Sequence, residues 1–147
     1  MTDDIPVLTF AVCQQTYAVS IMDVVEVAAM VETARIGDEI SPYVYGVVIR
    51  RGTPMILIDL RHLFHCDEAP VTLATLFVVV RSQSDEELTG FIVDQVQEVV
   101  YLKRSEIRPV DGGKGYIRGM VAREQVLIQW LDIETIVAHT QPGSLEI

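Results

Sequence analysis

Apolar residues run along this chain in short blocks, each broken by Gly, Pro or a cluster of polar side chains. Within the blocks the alternation has period two more often than 3.6, which predicts strands. Val7–Cys13 mixes β-branched and aromatic residues and reads as a strand. Beyond Gln14-Gln15-Thr16, residues Tyr17, Val19 and Ile21 alternate with Ala18 and Ser20, so a first hairpin is predicted. Met22–Met30 fits both periods, and a helical turn at Met22–Val24 leading into a strand reconciles them. Residues 1–6 form an acidic leader expected to fray, and Glu32–Glu39 a polar loop. Ser41-Pro42 pairs an N-cap with a proline at the first helical position, predicting a short helix.

The most informative stretch is Gly46–Phe64, GVVIRRGTPMILIDLRHLF. An apolar strand ends in Arg50-Arg51-Gly52, and a second, Met55–Ile58, follows almost at once. Gly52 suits the positive φ that tight hairpin turns require. Asp59 is placed to cap a short helix by accepting from N–H groups two or three residues on. His65–Pro70 is a polar linker. Thr72–Val80 is an almost unbroken apolar strand, a sign of burial on both faces. Arg81–Leu88 is an acidic, serine-bearing turn where local mobility is expected, and Gly90–Val93 resumes the strand ahead of Asp94–Leu102. Ser105-Glu106 caps a brief helix, Val110–Tyr116 is a glycine-rich loop, and Asp132–Ala138 is a C-terminal helix before a loose tail.

The pattern occurs twice. Asp23-Val24-Val25-Glu26-Val27 aligns with Gln95-Val96-Gln97-Glu98-Val99 at an offset of 72, and Gly46, Val48, Arg50 and Asp59 align with Gly119, Val121, Arg123 and Asp132 at an offset of 73. Within one domain spanning 1–147, repeat halves of about 7–68 and 72–139 each read hairpin, turn, strand, loop, hairpin, helix. Five short strands cannot bury two faces as an open sheet, so each half is expected to curl into a small barrel, which also removes exposed edges.

Composition narrows the function. Half of the 147 residues are hydrophobic and 22% are charged, enough for a sizeable core. No apolar run approaches the ~20 residues a membrane helix needs, and no signal peptide is visible, so a cytoplasmic soluble chain is expected. The formal net charge of −10 argues against nucleic acid and against an anionic membrane as partner. Arginine supplies most of the positive charge, and arginine is the better interface residue. Cys13 and Cys66 lie far apart in sequence and read as free thiols.

No catalytic, cofactor or metal site is expected. His62, His65 and Cys66 lack a fourth ligand at a typical zinc spacing. The nucleophile elbow Gly-x-Ser-x-Gly is absent. Gly112-Gly113-Lys114-Gly115 lacks the phosphate-binding spacing and the helix that should follow. What remains are binding features: a local basic cluster of Arg50, Arg51, Arg61 and His62, and the paired acids Glu26 and Glu98 within valine-rich strands. The bland reading of both is solvated polar residues; the sharper one is an interaction patch.

The sequence resembles the CheW family of chemotaxis coupling proteins over about Val7 to Val137. The resemblance is carried by Phe10, Tyr17, Ile21–Val27, Pro42, Gly46-Val47, Arg51-Gly52 and Ile58-Asp59-Leu60-Arg61. In the second half it continues through Gly90-Phe91-Ile92-Val93-Asp94, Val96, Glu98-Val99, Ile107, Pro109, Gly119 and Leu131-Asp132. It implies a mainly β fold of two small SH3-like five-stranded barrels over a shared core, with a few short helices and with strands that can be shared between barrels. It also implies a non-enzymatic adaptor without cofactors. Its partners would be the cytoplasmic tips of chemoreceptors and the regulatory domain of a CheA-type histidine kinase, placing it at membrane-associated receptor arrays without membrane insertion. By position, Arg51, Glu26 and Val24 match family residues on the receptor-facing side, with Arg50 and Gly52 completing the hairpin tip. The chain departs from the family with Ile49-Arg50 before Arg51, where the family has Asn-Leu, and with Pro54 two positions early. A related pathway, such as pilus motility, or a small-ligand sensory domain using the inter-barrel groove are the alternatives.

Overall fold

Among the described residues, three hairpins close on two-residue turns that hold both central residues at positive φ: Cys13 and Gln14 at 53° and 69°, Arg51 and Gly52 at 50° and 81°, Glu124 and Gln125 at 50° and 66°. This is the geometry whose twist matches that of paired strands. Only one of the six positions is glycine, so in the others side chains accept a region that L-residues seldom visit. The computed structural model describes residues 4–31, 33, 43–66, 70–84, 86–110 and 115–140.

The fold is mainly β. The strands are β1 (Asp4–Val12), β2 (Gln15–Ser20), β3 (Val24–Ala29), β4 (Val44–Arg50), β5 (Thr53–Asp59), β6 (Leu76–Arg81), β7 (Leu88–Val93), β8 (Gln95–Lys103), β9 (Arg108–Pro109), β10 (Ile117–Arg123) and β11 (Val126–Leu131). Among the described residues two short helices, α1 (Leu60–Leu63) and α2 (Ile133–Thr140), follow β5 and β11, and 3-10 turns occupy Ile21–Asp23 and Arg104–Glu106. Both 3-10 turns agree with the sequence. The expected leader is shorter, since Asp4–Pro6 already pair with Tyr101–Lys103 of β8. The strand expected from Thr72 begins at Leu76. Thr72 N–H donates to Thr75 Oγ1 at 2.9 Å, and Thr75 N–H to Thr72 O at 3.0 Å, so threonine side chains hold a turn there. Most of the Glu32–Glu39 loop, and Ser41-Pro42, lie outside the described residues; Val44 is already strand.

The sequence halves are not the structural units, which corrects the expectation that each half curls by itself. One sheet has the order β8-β1-β2-β11-β10-β9, the other β3-β6-β7-β5-β4. Each sheet therefore joins the first hairpin of one half to the third strand and second hairpin of the other. The exchange is symmetric: β5 runs parallel to β7, and β11 parallel to β2. Three apolar cores result. The largest lies between the sheets and combines Phe10 and Tyr17 from one, Phe91 and Val78 from the other, and Leu60, Leu63, Ile133 and Ile136 from the helices. A second is enclosed by the five-stranded sheet (Val48, Leu57, Phe77, Ile92) and a third by the six-stranded sheet (Val7, Leu102, Val121, Ile128). Along β6 and β7 successive residues enter different cores, which is why those strands lack alternation.

Each helix clamps a hairpin turn of its own half that lies in the other sheet, through residues 73 apart. Glu134 of α2 accepts from Ser82 Oγ at 2.9 Å, Gln83 N–H at 2.7 Å and Ser84 N–H at 3.3 Å. The Arg81–Leu88 turn, read from sequence as mobile, is thus tethered. Burial pushes the Glu134 carboxyl upward, but the hydrogen bonds from Gln83, Ser84 and Ser82 outweigh it and leave the group below its ordinary 4.5. A depressed carboxyl contributes stability that is present above the unfolded value and lost as pH falls through the folded one. Between pH 6 and pH 3 the wild-type melting temperature is expected to fall more steeply than that of Glu134→Gln. Parallel curves would show that the clamp carries no charge-dependent stability.

The corresponding residue in α1 is Arg61, which faces the segment between β7 and β8. Arg61 Nη1 lies 3.4 Å from Asp94 Oδ1, and Asp94 Oδ2 accepts from the Cys13 N–H at 2.6 Å. Here the β1–β2 turn lies against the end of α1, and Cys13 and Cys66 are joined as a disulfide, with Cα atoms 6.2 Å apart. The reading of both as free thiols is corrected. Strand exchange brings together residues whose separation of 53 in sequence conceals the contact.

Candidate functional site

Of the predicted basic cluster, the structure leaves Arg51 as the exposed hairpin-tip cation. Arg61 is withdrawn into the protein at 2% exposure. Its Nε and Nη2 each lie 3.0 Å from the two carboxylate oxygens of Asp59, which is itself 3% exposed. Asp59 also accepts from the Arg61 N–H at 3.0 Å, so the predicted N-cap is present. Residues read as one cationic patch and a helix cap form a buried ion pair with a capping function.

Arg50 is also occupied. Its Nε lies 2.5 Å from Glu26 Oε1. Glu26 sits on β3 and Arg50 on β4, the two outer strands of the five-stranded sheet. The ion pair therefore bridges the edges of a sheet curled far enough to face itself. Its equivalent at Arg123 does the same for the other sheet: Nη2 donates to Tyr101 O of β8 at 3.0 Å and to Glu106 at 2.6 Å. The Lys103 N–H first, and then Arg123, hold the Glu106 carboxyl below its ordinary range. The repeated arginine thus spans a seam in both halves.

The five predicted residues fall into distinct settings. Arg51 and Gly52 form the exposed turn, and Arg51 has no partner among the described residues. Glu26 and Arg50 are half-buried and paired to one another. Val24 is half-buried beyond an irregularity in the β3–β6 pairing and packs on the core between the sheets. Next to Arg51 opens a groove of about 350 Å³ with an apolar floor of Met55, Ile56 and Leu88. The exposed Glu86 and Glu87 line it together with the arginines. Sequence reasoning missed these acids. They were visible as an acidic turn, but only the strand exchange sets them against a hairpin from the other half.

The six-stranded sheet carries a second groove, of about 460 Å³, between β8 and the β10–β11 hairpin. Near it, Val99, Tyr101, Val126 and Leu127 are exposed by 44–60%. Among the described residues no three His, Cys, Asp or Glu side chains cluster as metal ligands, and no helix is long and apolar enough to cross a membrane.

Two interlocked curled sheets, each with a seam-spanning arginine and a surface groove beside its second hairpin, define the class of β module. Comparison with known proteins makes this specific. Residues 6–141 match the CheW-like domain family, and the chain belongs to that family. It is 26% identical over 135 residues to the chemotaxis protein CheW of Bacillus subtilis (strain 168), covering 88% of this chain and 85% of that one. It also superposes on the crystal structure of the scaffolding protein TtCheW from Thermoanaerobacter tengcongensis. The TM-score is 0.78 at 22% identity, covering 88% of this chain and 89% of the other.

Proposed function

We propose that this chain is a non-enzymatic adaptor that couples the cytoplasmic tips of chemoreceptors to the regulatory domain of a CheA-type histidine kinase, and that it is recruited through them to membrane-associated arrays. The observation that carries this is the family match across almost the whole chain. The geometry supplies a physical basis. Arg51 is the free cation of the hairpin tip, Gly52 shapes the turn, and the Glu26–Arg50 pair fixes that tip relative to β3 and Val24. These five residues form the receptor-facing set. The exposed Val99, Tyr101, Val126 and Leu127 offer a separate apolar face on the other sheet, suited to docking against the kinase domain. Two partners held on separate sheets is what coupling requires.

Pull-down of the folded chain with its own organism's receptor tips and kinase regulatory domain tests the assignment; binding to neither would sink it. Arg51→Glu is expected to weaken receptor binding at least about tenfold, or about 1.4 kcal/mol. Its stability should move by less than about 0.5 kcal/mol, as for most exposed positions. Arg51→Gly separates charge from backbone: it suits φ > 0, so binding should weaken while the melting temperature holds or rises. A large loss of melting temperature in Arg51→Glu would instead make Arg51 structural.

A further inference from the structure

Cys13 and Cys66 sit where a bond between them joins parts of the molecule that are otherwise held by packing and polar contacts. Cys13 is the first residue of the β1–β2 turn, in the six-stranded sheet; Cys66 follows α1, which extends from β5 of the five-stranded sheet. Each cysteine is positioned by its backbone. The Cys13 N–H donates to Asp94 Oδ2 at 2.6 Å, and the Cys66 N–H to Arg61 O at 3.1 Å. Arg61 in turn reaches Asp94 at 3.4 Å. This network contains neither sulfur, so it persists when the bond is opened and keeps the two thiols within reach of one another. A Cα separation of 6.2 Å lies inside the span of ~4.4–6.8 Å that a disulfide bridges. Both residues are half-buried rather than sealed in the core, so a small thiol reagent can approach them.

The internal repeat shows that the fold does not need this bond. Around the β1–β2 hairpin the repeat runs at an offset of 72, since Ala18 pairs with Trp130 as Gly90 pairs with Leu57, and from the second hairpin on at 73; Cys13 and Cys66 therefore correspond to Asp85 and His139. On the same register Gln14 corresponds to Glu86, and both hold positive φ, at 69° and 58°. The second half therefore makes the equivalent junction without sulfur, relying on Glu134 and its three hydrogen bonds to the 82–84 turn.

We propose that Cys13 and Cys66 form a reversible redox clamp that fixes the β1–β2 turn to the end of α1, and with it one sheet to the other. The reaction is thiol–disulfide exchange. A dithiol reductant attacks one sulfur to give a mixed disulfide. Its second thiol then resolves this, so two electrons and two protons pass to the cysteine pair and the reductant leaves as a disulfide. Oxidation is the reverse, with a small-molecule disulfide as electron acceptor.

The full wild-type chain, equilibrated under native conditions in buffers of reduced and oxidised glutathione or in dithiothreitol, provides the test. Acid quenching, alkylation and peptide mass spectrometry read the pair. The 13–66 linked peptide should appear in oxidising buffer and disappear in dithiothreitol, with an unchanged circular dichroism spectrum. Amide exchange across residues 60–66 should slow at least tenfold on oxidation, with α2 unaffected. Cys13→Ser and Cys66→Ser should each show the reduced pattern in every buffer; should either fail to fold, the wild-type titration decides alone. The proposal is overturned if both thiols are alkylated in oxidising buffer without a linked peptide. It is equally overturned if the bond yields to dithiothreitol only after denaturation, or if exchange across 60–66 is the same in both states.

Discussion

Arg61→Met is expected to lower the unfolding free energy by about 3–5 kcal/mol, read from urea unfolding followed by circular dichroism. The wild-type guanidinium contacts both oxygens of Asp59 at 3.0 Å and reaches Asp94 at 3.4 Å, in a site where Arg61 and Asp59 are almost fully buried. Methionine fills much of the volume but leaves the Asp59 carboxylate in an apolar setting without its counter-charge. The loss is therefore the uncompensated charge rather than the worth of the ion pair itself. Asp59→Asn/Arg61→Met separates the two. The amide oxygen still caps the helix while the charge is gone, so the double variant should recover much of the loss. If Arg61→Met lost less than about 1 kcal/mol, the burial and pairing described for Arg61 would be wrong. If the double variant were as unstable as the single one, packing of the long side chain would be the cause.

The same residue shows how far the site was legible in the sequence. Arg50, Arg51, Arg61 and His62 are close along the chain, and proximity suggested one basic patch. A chain position does not say which way a side chain points. Arg50 ends β4 and turns toward Glu26, Arg51 stands on the turn, and Arg61 opens a helix whose first turn is buried. Asp59 was correctly read as a cap because capping is local, set by a residue and the N–H groups just after it. Its ion pair was missed because burial of α1 depends on what packs over it from the other half. Glu86 and Glu87 were missed as lining residues of the Arg51 groove for the same reason.

Several local features of the fold were readable. Gly52 at positive φ, the 3-10 turn before β3 and the double-faced burial of β6 all follow from short patterns. The repeat was readable too, as matched residues 72 and 73 apart. The exchange of hairpins between halves was not, because a repeat is equally satisfied by two self-contained units or by two interlocked ones. The decision rests on the parallel pairs β5–β7 and β11–β2 and on which apolar faces meet between the sheets. The Cys13–Cys66 bond depends on the same exchange and was hidden with it.

Gly90 gives the second large effect. It lies in β7, flanked by β6 and β5, where it faces Val79 on one side and Leu57 on the other. A Cβ at this position would stand 2.4 Å from Leu57 Cδ2 and 3.1 Å from Phe77 Cδ2. Leu57 is fully buried and Phe77 nearly so, so neither can swing into solvent, and the core enclosed by the five-stranded sheet must deform around the added atoms. Gly90→Val should therefore lower stability by about 3 kcal/mol, the upper end of what overpacking usually costs; Gly90→Ala should lie between it and wild type. The clash names its own suppressor. Leu57→Ala alone leaves a cavity and should lose about 2–5 kcal/mol. Combined with Gly90→Val, it removes the atom that the new side chain strikes, and valine fills part of the space. The double variant should then be more stable than the sum of the two losses predicts, with a coupling of about 1 kcal/mol or more. Simple additivity would show that Gly90 is kept for its backbone and not for the close approach of Leu57. Suppression would tie the glycine of the Gly90-Phe91-Ile92-Val93-Asp94 motif to the parallel contact that interlocks the two halves.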